Sequence, residues 1–367
     1  MPRFTRLTSQ YVRRELLRLL RRKYLPLLAR HIYRQPADAS TWPALALPID
    51  VEPLRAGIEA LAAMPGSSTE ALAMHLSLHA PYVRTWLWTA HGLGLVDAEG
   101  EEAFRLAPHM GQILASRSHP RYLGGYVQLG TEVAAQDFRR GREAFRTGGV
   151  TPFQGRGQDF ARLVADSTWG LQIAAARKIL PGLPGMKEAL EAGASVLEVG
   201  CGTANFLLQL AKAFPASRPV GVDIDADSLA VARTRVEQAG MTERVQLLHG
   251  DLGAVVPPAS MDAVVMIEVL HEISPALRPH VVRAAGATLK PGGWLVIVDE
   301  TYPATLEQTR DPAYRFPLQT GIEELLWGNV LPTQAEQEQL LRDAGFPEPP
   351  GRSLIGEGFT VLTARRP

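Results

Sequence analysis

Cysteine is almost absent from this chain of 367 residues, in which Cys201 is the only one. A single cysteine cannot form an internal disulfide, which argues against a disulfide-stapled secreted scaffold. Long apolar runs are also lacking, since a membrane-spanning helix needs ~20 such residues, and the N-terminus has no continuous apolar core of a signal peptide. These absences predict a cytoplasmic protein without a membrane span. Cys201 lies in a glycine turn, where we interpret it as a small spacer rather than a reactive thiol.

Net charge is absent as well, because 38 Lys and Arg balance 38 Asp and Glu, but the charge is unevenly placed. Residues 1–35 hold ten basic residues and one acid, and thus carry +9 against −9 for the remainder. Apolar residues recur at every fourth position from Val12 to Ile32, which predicts an amphipathic helix that Pro26 divides. This helix packs on the protein or a second subunit in one interpretation; a nucleic-acid arm or a membrane-surface helix is the alternative.

Residues 50–108 have the pattern of three short helices, around 51–63, 68–77 and 81–91, followed by two apolar segments joined by an acidic glycine turn. Helix, turn, helix and β-wing is the order of a winged-helix module. Such modules can bind DNA through the third helix and the wing. Here the third helix offers one base, Arg84, and the wing carries four acids that would repel phosphate. The sequence therefore argues against nucleic acid as a partner.

Strand-like and helix-like segments alternate from residue 194 onwards. A further helix over 333–344 and two terminal strands, near 352–356 and 359–365, follow the alternation. This order predicts an α/β fold with a doubly wound, mainly parallel sheet. The five earlier strands are expected at 195–199, 219–223, 245–249, 262–267 and 294–299.

Four motifs lie at these strands and carry the chemistry. They are VLEVGCGTANF (196–206), GVDID (221–225), HGD (249–251) and LKPGGWLVIVDE (289–300). As a set they resemble the S-adenosyl-L-methionine (SAM) site of class I methyltransferases. The resemblance implies a Rossmann-like domain of seven strands over residues 193–367, with SAM as methyl donor and S-adenosyl-L-homocysteine (SAH) as product.

The first motif distinguishes a SAM-binding site from a dinucleotide-binding site. The G-x-G-x-x-G fingerprint would need glycine at position 205, which is Asn205. Methyltransferases most often have glycine at the position of Ala204, and alanine is the smallest departure from it. Gly200 and Gly202 let the backbone approach a ligand at the carboxyl end of the strand. The N–H groups of the helix that follows suit the carboxylate of a methionine moiety.

The carboxylates at the strand ends have separate predicted roles toward the cofactor. Glu198 receives a donor from its amino-acid portion, and Asp223, with Ile224 beside it, accepts the ribose hydroxyls. Asp251 is placed for the adenine amino group. Leu252 is expected to flank the ring, and Glu268 to lie near the cofactor.

His271 follows the fourth strand, in the segment MDAVVMIEVLHEISPALRPHVVRAA. The segment resembles the Leu-His-Asp-Trp-like stretch of metal-independent small-molecule O-methyltransferases, whose histidine is the general base. A neutral imidazole can take the proton of a hydroxyl as its oxygen attacks, and Asp299 is placed to fix the tautomer. The family's Asp-Trp is Glu272-Ile273 here. A histidine that only packs or shapes the cofactor pocket therefore stays open as the alternative.

Residues 109–192 read as a mostly helical linker with one break at 147–158. In the methyltransferases that the chain resembles, this linker lines the substrate pocket. A second aromatic-rich segment, 301–332, could cap the site as a lid, although both sets could equally be ordinary core. The candidate substrate contacts are Phe153, Trp169, Gln172, Tyr302 and Trp327. No metal cluster with recognisable spacing appears, so we expect chemistry without a metal.

The sequence thus predicts an enzyme that transfers a methyl group from SAM to a hydroxyl of a small, aromatic or polyketide-like molecule. The alternatives are a SAM-binding regulator or partner-binding protein without catalysis, or a methyltransferase acting on nitrogen, carbon or sulfur. Winged-helix modules of similar methyltransferases dimerise, so we expect a homodimer. The predicted domains are 1–108 (dimerisation), 109–192 (linker) and 193–367 (SAM-binding).

Overall fold

The structure is a computed structural model that describes residues 51–92, 94–100, 102–117, 119, 122–346, 348–355 and 358–367. The chain divides into two compact units, of which the first ends at Ala115 and the second is Ser116–Pro367. The predicted basic helix within residues 1–35 lies outside the described residues. The three-part domain division stays a prediction.

From residue 51 onwards, the first unit has three α-helices and a hairpin in the order expected for a winged-helix module, followed by a π-helical turn at Gly111–Ala115. Ser68 caps the second helix by accepting from the Ala71 amide, and Ser77 ends it in a left-handed conformation. Leu72 and Leu87 form fully buried contacts within this unit. Its use as a dimerisation module stays a prediction. The elements are α1 (Val51–Ala63), α2 (Thr69–Leu76), α3 (Ala80–Gly92), β1 (Val96–Glu99) and β2 (Ala103–Leu106).

The second unit begins with helices, as the linker pattern predicts. The break expected at 147–158 separates α5 from α6, and Gly148 ends α5 in a left-handed conformation. Two π-helical turns, Gly130–Ala134 and Ala175–Ile179, extend α4 and α7. The helices are α4 (Gly124–Leu129), α5 (Ala135–Thr147), α6 (Gln158–Ser167), α7 (Trp169–Ala174) and α8 (Met186–Glu191).

A seven-stranded sheet follows in the order β5-β4-β3-β6-β7-β9-β8, and the only antiparallel strand of this sheet is β9. All seven strands lie within a few residues of their predicted positions. They are β3 (Ser195–Val199), β4 (Arg218–Asp223), β5 (Gln246–His249), β6 (Met261–Ile267), β7 (Leu289–Glu300), β8 (Gly351–Ile355) and β9 (Phe359–Arg365). This confirms the Rossmann-like α/β fold.

Helices cover both faces of the sheet, so its central strands are apolar on both sides. Val196 and Val265 pack toward one face, whereas Leu197 and Val264 pack toward the other. These helices are α9 (Asn205–Ala213), α10 (Ala226–Gln238), α11 (Leu252–Val255), α12 (Arg278–Thr288), α13 (Arg315–Trp327) and α14 (Gln334–Asp343).

The strand order reverses between β3 and β6, which pair in parallel at the centre of the sheet. Ligands of open α/β sheets bind at such a switch point, beyond the carboxyl ends of the strands. The predicted motifs therefore meet at one edge. No helix of the described residues is long and apolar enough to span a membrane.

Candidate active site

A tight glycine turn links β3 to α9 and forms the floor of the site. Gly200 has φ +66°, and a Cβ added there would lie 2.5 Å from Val269 Cγ2, so the position accepts only glycine without displacing a neighbour. Gly202 has φ +50° with open space around it. Ala204 is also left-handed, at φ +63°, which gives a physical reason for glycine at this position in related enzymes, since a Cβ there costs about 1–2 kcal/mol.

Two carboxylates stand next to this turn. Glu198 is 1% exposed, and its Oε2 atom has no hydrogen-bond partner. Burial, and then the nearby Asp223, raise its pKa well above the usual range. Asp223 accepts from the Gly202 amide at 2.7 Å and from the Asp225 amide at 2.8 Å. Asp223 therefore shapes the glycine turn, a role that adds to its predicted contact with ribose.

The predicted adenine end lies at β5 and the start of α11. Asp251 caps α11 by accepting from the Gly253 amide at 3.0 Å, and its Oδ2 lies 3.5 Å from His280 Nε2. Leu252 is buried, whereas Ile224 is 68% exposed. The contacts of Asp251, Leu252 and Ile224 with the cofactor stay predictions.

The residues present fit SAM. The unpartnered buried oxygen of Glu198 calls for a donor or a cation, and the open space at the Cβ position of Gly202 leaves room for a close ligand. Glu268 is also left-handed, at φ +57°, and its Oε1 atom has no partner. Such strain in a non-glycine residue is typical of functional sites.

His271 lies at the carboxyl end of β6, and its ring is bound to Asp299 at the end of β7. The distance between His271 Nδ1 and Asp299 Oδ1 is 2.7 Å, and the two side chains are buried. Asp299 also accepts from the amides of Leu270, at 2.7 Å, and Glu300, at 2.7 Å. The structure thus brings together the two predicted catalytic residues, in the geometry that fixes a tautomer with Nδ1 protonated.

A second carboxylate, Glu324 of α13, faces the other ring nitrogen. Its Oε2 lies 3.5 Å from His271 Nε2 and accepts from Asn329 Nδ2 at 2.8 Å. Burial alone would lower the pKa of His271, but the charges of Asp299 and Glu324 raise it well above the usual value. Sequence reasoning missed Glu324. The sequence could have indicated Glu324 only by placing an acid next to Leu326 and Trp327, two apolar residues that the same helix buries.

Glu268, Glu272 and Glu300 lie near this histidine, and Glu323 lies near Glu300 and Glu324. Burial raises the pKa of Glu268 and Glu272 well above their usual range, and that of Glu300 and Glu323 to about 8. Glu300 accepts from the Thr320 hydroxyl at 2.6 Å. The protein without ligands therefore holds protons on several carboxyl groups near neutral pH.

Glu268, His271 and Asp299 bring potential metal-ligand atoms within 4.8 Å of one another. The Asp299 oxygens, however, accept from the His271 ring and from the amides of Leu270, His271 and Glu300. A carboxylate has about four lone-pair sites, so these bonds leave none directed at a cation. The expectation of chemistry without a metal stays a prediction.

The predicted acceptor contacts have different surroundings. Trp169 Nε1 and Gln172 Oε1 are shielded from solvent and have no partner, as expected of groups awaiting a ligand. Trp327 donates to Asp137 Oδ2 at 2.8 Å, and its ring lies 5.6 Å from that of Phe153. Tyr302 is 36% exposed and packs over Gly321 of α13. All five roles stay predictions, and the paired indole of Trp327 matches the core alternative.

Comparisons with known proteins agree with this geometry. The profile of the methyltransferase domain family matches residues 196–293, which run from the glycine turn into β7. A demethylmenaquinone methyltransferase of Listeria welshimeri is 31% identical over 172 residues, covering 43% of this chain and 72% of that protein. The chain belongs to the class I SAM-dependent methyltransferases.

Two further relatives extend the similarity of this methyltransferase beyond the sheet. A 3-hydroxy-5-methyl-1-naphthoate 3-O-methyltransferase of Streptomyces sahachiroi is 27% identical over 236 residues, covering 62% of the chain and 66% of that protein. The crystal structure of human N-acetylserotonin methyltransferase in complex with SAM has a TM-score of 0.70 at 17% identity, covering 91% of this chain and 97% of that one. Against Listeria monocytogenes and Listeria innocua demethylmenaquinone methyltransferases, the chain spans about half their length, 48%.

Proposed function

We propose that this methyltransferase transfers a methyl group from SAM to a hydroxyl of a small aromatic or polyketide-like molecule, with His271 as the general base. The observation that carries the proposal is the 2.7 Å contact of His271 with Asp299 at the carboxyl edge of the sheet. The Streptomyces naphthoate O-methyltransferase supports the acceptor class.

Bound SAM supplies an electrophilic methyl group on a positively charged sulfur. Glu198 and the turn at Gly200 and Gly202 would hold its amino-acid portion, Asp223 the ribose and Asp251 the adenine. In the neutral form of the ring, His271 Nε2 would take the hydroxyl proton as the acceptor oxygen receives the methyl group, with SAH as the second product. Asp299 stabilises the resulting imidazolium through Nδ1.

The test is transfer of labelled methyl from SAM to a panel of phenols and host-extract fractions, comparing the wild type with His271→Ala. We expect label in a product, and a rate at least about 100-fold lower in the variant while SAH affinity is retained. His75→Ala, an exposed histidine of α2, is the matched control and should keep the wild-type rate. Equal labelling by wild type and His271→Ala would remove the general base but keep the transferase. The same assay with added EDTA tests whether methyl transfer proceeds without a metal ion.

A demethylated menaquinone is a second candidate acceptor, favoured by the Listeria relatives, and joins the panel. SAM binding without labelling of any acceptor would favour the regulator alternative. The predicted homodimer through residues 1–108 is part of the proposal. Size-exclusion chromatography that gives only monomer, at concentrations well above those of the assay, would remove it.

A further inference from the structure

Arg278, the first residue of α12, is a buried arginine without an acidic partner. It is 4% exposed, and among the described residues no carboxylate forms an ion pair with its guanidinium. Burial lowers its pKa below the usual value. A cation at a helix N-terminus also opposes the helix dipole. The charges of Asp299 and Glu336 offset part of this cost, but neither carboxylate forms an ion pair with the guanidinium, so hydrogen bonds must compensate the buried charge.

Backbone carbonyls surround this guanidinium instead. Arg278 Nε donates to Leu270 O and Ile273 O, both at 2.9 Å, and Nη2 donates to His271 O at 3.1 Å. Nη2 also donates to Val330 O. The guanidinium of Arg278 therefore binds the loop of residues 270–273. It also connects this loop to a second segment at Val330, which lies 52 residues after Arg278 in the sequence.

That second segment holds Glu324 in place. Asn329 precedes Val330, and its side-chain amide donates to Glu324 Oε2 at 2.8 Å, while its backbone amide donates to Glu324 O. The Val330 amide in turn donates to His271 O at 3.3 Å. The link from Arg278 through Val330 and Asn329 thus ends at the carboxylate that faces His271 Nε2.

We propose that Arg278 is a positioning residue for methyl transfer: by binding the carbonyls of His271 and Val330, it sets the place of His271 between Asp299 and Glu324. The inference rests on the proposed function. Asp299 holds the Nδ1 side of the ring directly from β7 and also accepts from the amides of Leu270 and His271. Glu324, by contrast, is connected to the loop through Asn329, Val330 and Arg278. Loss of the arginine should therefore affect the Nε2 side of the ring more than the Nδ1 side.

The charged groups around the ring come from four elements. They are Glu268 after β6, Glu272 in the loop, Asp299 and Glu300 of β7, and Glu324 of α13. Of these, Glu324 alone is held by Asn329, so its displacement is the specific consequence of a broken link.

The test is Arg278→Lys, which keeps the positive charge but cannot reach four carbonyls with one ammonium group. Arg283→Lys on the same helix is the control, because Arg283 is exposed. With the labelled acceptor, we expect kcat to fall about 10- to 100-fold, since small displacements of a catalytic group have effects of this size. The KM for SAM and the SAH affinity should stay within about twofold.

A second measurement does not depend on the acceptor. In the SAH complex, nitrogen-15 histidine NMR should show the His271 pKa falling toward its ordinary value in Arg278→Lys and unchanged in Arg283→Lys. An unchanged His271 pKa would overturn the proposal, as would a loss of kcat matched by equal losses of SAH affinity and thermal stability. Failure to label any hydroxyl, with the NMR shift present, would instead overturn the proposed function and keep the positioning role.

Discussion

Buried carboxylates decide the chemistry of this site at the scale of single residues, because each one depends on its immediate partners. Asp299 has its lone pairs filled by amides and a ring nitrogen. Glu198 has an oxygen without any partner. A carboxylate whose lone pairs all accept hydrogen bonds orients the groups that donate to it. A carboxylate with an oxygen that has no partner is available to a ligand.

Glu198→Gln should weaken SAM binding by about 10- to 100-fold, because a charge-assisted hydrogen bond contributes about 1.5–3 kcal/mol. An amide keeps the size of the side chain but cannot ionise when the cationic cofactor arrives. Isothermal titration calorimetry with SAM measures the change. Glu237→Gln, at an exposed position of α10, should bind as the wild type does, and equal affinity of both variants would exclude a contact of Glu198 with the cofactor.

The turn between β3 and α9 sets the shape of the site at the scale of elements. Val269, which faces Gly200, lies in the segment that carries Glu268 and His271. The close packing of Gly200 against Val269 therefore also sets the distance between the glycine turn and the loop that carries His271.

Gly200→Ala should lower the free energy of unfolding by about 2–4 kcal/mol, because the alanine would be in a left-handed conformation and its Cβ would overlap Val269. The same substitution should abolish measurable SAH binding. Gly202→Ala provides the comparison, since no atom lies within 4 Å of a Cβ there. It should lower stability by only about 1–2 kcal/mol. Urea unfolding gives both values. Equal losses would mean that the contact with Val269 is unimportant.

At the scale of the whole molecule, a net charge of zero hides a concentration of acids in one interior region. Glu300 and Glu323 have pKa values raised to about 8 by burial, and that of His271 is raised by Asp299 and Glu324 against the effect of burial. In every case the folded protein binds a proton more tightly than the unfolded chain does.

Stability of the ligand-free protein should therefore fall as the pH rises. Unfolded glutamates lose their proton near pH 4.3, so the unfolded state binds fewer protons from there to about pH 8, and the free energy of unfolding declines over that window. His271 adds to the decline as pH rises through its own raised pKa. Calorimetry at pH 6 and pH 8.5 should show the lower Tm at pH 8.5.

Glu323→Gln isolates one contributor and should reduce this difference in Tm, because the amide does not titrate. Glu338→Gln, at a partly exposed glutamate of α14, is the control and should leave the difference unchanged. A wild-type Tm that is constant or increases between the two pH values would contradict the assignment of protonated interior acids.

The sequence by itself determined the positions of the strands and the mainly parallel class of the sheet. Short apolar runs that end in Glu198, Asp223 and Asp299 indicate parallel strands with acids at their carboxyl ends, and such ends meet at one edge of a sheet. The resemblance to methyltransferases implied that Asp299 lies beside His271, 28 residues away, and the structure places them together.

Only the tertiary structure decided what completes the catalytic group. Glu324 reaches His271 from a helix, and Arg278 joins the loop of residues 270–273 to Val330, 52 residues after Arg278 itself, through backbone carbonyls. Such contacts leave no trace in residue type. The tertiary structure also paired the Trp327 indole with Asp137, 190 residues away. Local patterns encode the period and ends of an element, whereas the side chains that meet between elements depend on packing that no short segment contains.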